Sequence, residues 1–159
     1  MNRGFLIAFG AVLMVAAAGI ALWRPSARVQ APRTIGKVRA QKVDDNETIL
    51  LLDFRLRNDS DRPKTVANVT ARLDALDGSV IQGQVIGAAA LANVFQNYPL
   101  LGGELNPPLK AMDDFKPGEA EDRAVGVRFD APDEAIAKRK DVVLRVEFIN
   151  GPIVEYKAP

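Results

Sequence analysis

Carboxylates are the side chains in this sequence best suited to chemistry, and they fall into three groups. These are Asp44, Asp45 and Glu47; Asp113 and Asp114; and Glu119, Glu121 and Asp122. Paired carboxylates do general acid–base work when their surroundings push their two pKa values apart. Here they stand beside turn residues and outside the apolar alternation, which reads as solvated loops. The adjacent Asp122 and Arg123 suggest a structural ion pair at a strand start. A fourth group, Asn58-Asp59-Ser60-Asp61, offers oxygens that suit a hard cation such as Ca2+. No Gly follows at the spacing of an EF-hand loop, and such a cation wants about six or more oxygens from several segments. Asn and Asp that hydrogen-bond their own backbone, ahead of the helix- and strand-breaking Pro63, make a corner instead. The chain has no Cys and no His. That excludes disulfides, a thiolate nucleophile, a Cys/His zinc centre and the commonest general base. Gly102-Gly103 follows no strand pattern and lacks the Lys-Ser/Thr of a phosphate cradle. No catalytic, cofactor-binding or metal site is assigned, and a non-enzymatic role is expected.

The elements that carry these groups are strands. Leu50, Leu52, Phe54 and Leu56 share one face of residues 49–58, with Asp53, Arg55 and Arg57 on the other. Val69, Ala71 and Leu73 alternate with Thr70, Arg72 and Asp74. Asp77-Gly78 then predicts a two-residue type I′ hairpin into residues 79–86. Alternation returns through Val125, Val127 and Phe129, and through Val142, Leu144, Val146 and Phe148. Asn150-Gly151 predicts a second hairpin into residues 153–156. With residues 35–43 in front, the spacing predicts an all-β fold: an antiparallel sandwich of about seven strands in two sheets. Residues 132–139 read as a short helix, acidic at its start and basic at its end.

One insert, residues 83–109, interrupts this pattern. Its alanine-rich part predicts a short helix over residues 88–97, ended by Tyr98-Pro99. Ala88, Leu91, Ala92 and Phe95 give it an apolar face, and Tyr98, Leu100 and Leu101 extend that face. Such a segment either caps an open end of the sandwich or meets a partner. Long loops in compact domains are more often functional than filler. Leu91, Phe95, Tyr98, Leu100 and Leu101 are therefore the candidate partner-binding residues.

The N-terminus differs in texture. Gly4, Phe5, Leu13 and Trp23 belong to a run of twenty residues without a charge. A helix of that length spans about 30 Å, the hydrocarbon thickness of a bilayer. We expect residues 1–23 to be a single transmembrane anchor with Trp23 at its interface. A cleaved signal peptide competes with this, but its apolar core is usually about 7–15 residues. Residues 24–33 then form a basic linker, and residues 34–159 the β domain. Between Arg24 and Lys42 lie six cations and no acid. From Thr34 onward there are 17 basic and 20 acidic residues, a balance of −3. Arg24, Arg28 and Arg33 suit anionic lipid at the membrane surface, or a solvated flank that helps set topology. The domain itself lacks the basic face that nucleic acid requires. Positive charge after the anchor argues for a cytoplasmic domain; the very short leader before it argues for export. The expectation is single-pass residence in the inner (cytoplasmic) membrane, with the domain exported to the periplasm or cell exterior.

The stretch FRLRNDSDRPKTVANVTARLDALDGSVIQG, with FKPGEAEDRAVGVRF later, resembles the immunoglobulin-like or fibronectin-III-like accessory domains of membrane-anchored bacterial proteins. Several domain-of-unknown-function families share this pattern, and the LEA14-like domain is similar. The resemblance covers residues 34–159 and implies a sandwich fold with a non-enzymatic role; those families carry no shared catalytic residues. The insert is longer than their usual connection. The expected function is a membrane-anchored interaction or scaffolding module with a protein partner, part of a larger membrane or envelope assembly. The alternative is a carrier for a small apolar ligand lodged under the insert.

Overall fold

The computed structural model describes residues 33–158. The expected anchor residues Gly4, Phe5, Leu13 and Trp23, and the flank residues Arg24 and Arg28, lie outside them. Among the described residues no helix is long and apolar enough to cross a membrane. The elements run β1 (Arg33–Thr34), β2 (Lys37–Lys42), β3 (Thr48–Arg57), β4 (Lys64–Ala75), β5 (Val80–Ile86) and α1 (Ala88–Asn97). A 3-10 turn (Pro99–Leu101) follows, then β6 (Asp114–Phe115), β7 (Ala120–Phe129), α2 (Asp133–Ala137), β8 (Arg139–Phe148) and β9 (Ile153–Ala158).

The domain is mostly β. Its strands form one curled sheet in the order β1-β9-β8-β4-β5-β7-β3-β2, with β6 beside β4. Alternation decides which way each strand faces. Leu50, Leu52, Phe54 and Leu56 of β3, with Val125, Val127 and Phe129 of β7, face Val142, Leu144 and Val146 of β8 and Val154 and Tyr156 of β9 in one core. Phe54 and Tyr156 meet across it with ring centroids 4.7 Å apart, tilted by 57°. Each such buried side chain contributes about 1.5–3 kcal/mol relative to exposure.

The two layers are halves of one sheet, where two separate sheets were expected, because strands cross between them at both sides. On one side β5 crosses. Its residues Val80 to Gly83 pair with β4, and Gly83 to Ile86 pair with β7. Gly83 sits at the crossing, partnered by both Ala71 and Phe129. A Cβ there would lie 2.4 Å from Val127 Cγ1 and 2.8 Å from the Phe129 ring. On the other side the N-terminal strand crosses. β1 pairs parallel to β9, and β2 pairs antiparallel to β3. Between them Ile35 N–H donates to Lys157 O (2.9 Å) and Gly36 N–H to Asp53 O (2.8 Å). Strands that bend from one layer to the other make the corners of such packings.

Local chemistry sets the turns. Asp77-Gly78 does make a hairpin, but not the expected type I′ turn, which needs positive φ at both residues. Only Gly78 is left-handed there, at φ 86. Ala75 N–H donates to Ser79 O (2.9 Å), so the loop is three residues long. At the second hairpin only Asn150 is left-handed, at φ 51. Asn58 is buried at the corner after β3. Its Oδ1 accepts from Ser60 N–H (3.1 Å) and Ser60 Oγ (2.6 Å). Its Nδ2 donates to Arg62 O (2.8 Å) and Phe115 O (2.9 Å). The amide is spent on turning the chain and tying that turn to the strand beside it.

Candidate functional site

β3 contains the run Ile49-Leu50-Leu51-Leu52, apolar on both faces. A strand buried on both sides reads as such a run. Ile49 and Leu51 point away from the main core and need a cover, which α1 and the 3-10 turn supply. They form a second cluster with Leu91, Leu101 and Ala124, flanked by Val43, Ile86, Val94, Phe95 and Tyr98. Gly126 of β7 lets the helix approach: a Cβ on it would lie 2.5 Å from Leu91 Cδ1. The insert therefore covers the outer face of β3 and β7. It does not cap an open end of the sandwich.

A buried ion pair fastens the far arm of the insert. Asp53 of β3 and Arg39 of β2 have side chains only 6% and 10% exposed. Arg39 donates to Asp53 Oδ2 through Nε (3.2 Å) and Nη2 (3.0 Å). Its Nη1 donates to Leu101 O (2.5 Å) and Gly103 O (2.8 Å). Asn106 Nδ2 donates to the other carboxylate oxygen of Asp53 (3.0 Å). Gly102, left-handed at φ 72, turns both carbonyls toward the guanidinium. A planar fork with several donors suits this task better than an ammonium would. The return leg lies beside β7, where Leu109 N–H donates to Ala124 O (2.9 Å) and Ala124 N–H to Pro107 O (3.0 Å).

The fastened insert splits the five candidate partner residues. Leu91 and Leu101 are buried and present no surface, while Phe95 and Tyr98 are half-buried. Leu100 points outward, 82% exposed, and Leu105 joins it at 57%. Three concavities border the insert. One of about 430 Å³ lies beside α1, lined by Ile86, Ala90, Val94, Tyr98, Gln84 and Arg128 among others. One of about 290 Å³ lies by Leu105 and Asn106. The third, of about 750 Å³, lies by Ala88, Pro107, Lys110 and Arg123.

Arg39, Asp53, Asn106, Leu105 and Gly126 were not singled out from the sequence. Arg39 counted there as one of the six cations between Arg24 and Lys42, and Asp53 as a solvent-facing acid; both are instead buried together. The signals were an acid inside LLLDF and a Gly inside the strand AVGVRF, which marks close approach of another element. Arg33 belongs to β1 and bonds Asp59 Oδ2 (2.5 Å) and Arg57 O (3.2 Å).

The acidic groups do not converge. Asp45 takes Lys42 (2.6 Å), whose hydrogen bond and charge hold that carboxyl below its usual range. Glu47 takes Arg128 (2.9 Å), and Asp114 takes Thr65 (2.5 Å). The expected Asp122–Arg123 pair is not formed. Adjacent strand residues point to opposite faces, so Asp122 meets Arg55 across the sheet at 3.4 Å, and Arg123 pairs with Glu121, two residues away on its own face. Among the described residues no three potential metal ligands cluster.

No protein-family model matches the chain, and no curated protein matches it. Among solved structures it is similar to an uncharacterized β-sandwich protein from Clostridium difficile 630. That likeness has 14% identity and a TM-score of 0.36, over 86% of this chain and 100% of that one.

Proposed function

We propose that this chain is a non-enzymatic, membrane-anchored interaction module whose insert docks a protein partner. Residues 4–23 hold it in the inner membrane as a single pass, with the β domain exported. The observation that carries the reading is the Arg39–Asp53–Asn106 clamp. It holds in one shape a loop that presents Leu100 and Leu105 to solvent. Pre-ordering such a loop removes an entropic cost that a partner would otherwise meet on binding.

The strand order supports the finer, immunoglobulin-like reading of the fold. One half runs β2-β3-β7-β5 and the other β9-β8-β4. Those match the two sheets of an immunoglobulin constant-type sandwich, ABED and CFG. In the variable domains of that fold, loops at one end of the sandwich serve recognition.

The test is the double variant Leu100→Asp/Leu105→Asp in the full-length chain, with Thr70→Asp on the opposite layer as control. Loss of a co-purifying membrane partner in the first only, at unchanged melting temperature, is the expected result. Partner retention by the double variant sinks the reading. A second reading, an apolar ligand in the groove of about 430 Å³ beside α1, is favoured by its Ile86, Ala90 and Val94 lining. It predicts a bound small molecule by native mass spectrometry that Ala90→Phe displaces.

A further inference from the structure

The end of the domain at which the chain enters carries a second exposed apolar pair. β1 runs parallel to β9, with Arg33 beside Tyr156, and β9 begins at the hairpin around Asn150. The polypeptide therefore enters the fold from that hairpin end. Met112 and Ile149 flank the start of β4 at the same end. Met112 N–H donates to Val66 O (2.9 Å), and Ile149 N–H to Thr65 O (2.9 Å). They are 66% and 45% exposed. Met112 is also held at φ 69, in the left-handed region that favours glycine. A long apolar side chain kept there at conformational cost points to a use for it.

We infer that this end, through Met112 and Ile149, rests on the lipid surface of the bilayer in which the chain is anchored. The inference rests on the membrane-anchored reading above. Nine residues, 24–32, separate the apolar run from Arg33. Fully extended they reach about 30 Å, and Arg33, level with Ala71 across β9 and β8, lies about 20 Å from the start of β4. The tether thus keeps this end close to the membrane and raises its effective concentration there. Charge does not oppose the contact. Asp59 is paired with Arg33 and Arg57. The exposed Arg62, Lys110 and Lys116 have no ion-pair partner among the described residues and outnumber the exposed acids beside them, Asp61 and Asp114. Cations around an apolar tip suit the boundary between headgroups and acyl chains.

The chain has no Cys, so Met112→Cys, Ile149→Cys and Leu76→Cys each accept one fluorophore. The full-length variants are reconstituted in phosphatidylethanolamine–phosphatidylglycerol vesicles carrying headgroup nitroxides. Expected is quenching at the first two sites, none at Leu76→Cys, and recovery of the Ile149→Cys signal when Met112→Asp is added. Equal emission at all three sites, or quenching untouched by Met112→Asp, in chains that co-float with vesicles overturns the contact and leaves the anchor standing. Chains that fail to float overturn both.

Discussion

Replacing Arg39 by Ala tests the clamp on which the proposed recognition surface depends. The change removes both donors to Asp53 Oδ2 and the donors to Leu101 O and Gly103 O. Gly103 is exposed, so water replaces that bond at little cost. Leu101 is buried, and an orphaned buried carbonyl costs about 1–3 kcal/mol. Asp53 keeps only Asn106, and breaking a buried ion pair costs about 3–5 kcal/mol. These terms overlap, and hydration of the vacated site relieves part of them. A net loss of about 3 kcal/mol follows, or roughly 10 °C in melting temperature for a domain of this size. Residues 99–109 should also become the first site of limited proteolysis, since they lose two of their ties to the sheet. The assay is a thermal melt of the full-length protein in detergent, with timed digestion. Arg39→Lys should recover less than half of the loss, because an ammonium cannot serve the carboxylate and two carbonyls in one plane. Arg39→Met with Asp53→Leu should recover more stability than Arg39→Ala alone, since it removes the unpaired charge. An Arg39→Ala protein that melts within about 2 °C of the parent, with digestion unchanged, would refute the clamp.

Two further outcomes follow from the packing. Gly126→Val drives a branched side chain into the space of Leu91 Cδ1; overpacking costs about 1–3 kcal/mol. It should lower the denaturant midpoint and loosen α1, read as faster amide exchange over residues 88–97 than over β8. Burial raises the pKa of Tyr156 above its usual value, and the Arg33 charge partly offsets the shift. The folded state then favours the neutral phenol, so its contribution is full below about pH 10 and falls as pH rises through the folded value. Tyr156→Phe should flatten that alkaline loss of stability; an unchanged alkaline limb in the variant would show that other groups cause it.

Period and punctuation located the longer elements, while the two-residue strands β1 and β6 are too short to show a period. Alternation in residues 49–58 and 142–149 put Leu50, Phe54 and Leu144 inside, where they are buried. Alanine richness without β-branching marked the helix over residues 88–97, and it spans Ala88–Asn97. These signals are legible because they are local: a strand repeats every two residues and a helix every 3.6. Turn geometry was less legible. Asp77-Gly78 admits both a two-residue and a three-residue loop, and strand register selects between them.

Tertiary structure decided the rest, because it depends on which distant residues meet. Neither Ile49-Leu50-Leu51-Leu52 nor Gly126 states that a helix will lie over them; that needs β3 and β7 side by side and Leu91 above. Arg39 looks like any other of the early cations until the chain brings it to Leu101, 62 residues away. Leu91 and Leu100 are alike as residues. One is buried and the other solvent-facing because the clamp and the Gly126 gap orient the insert. Composition and period therefore determined the kind of domain and its elements. Which apolar side chains of the insert stay exposed emerged only from long-range packing, where desolvation and steric fit outweigh local preference.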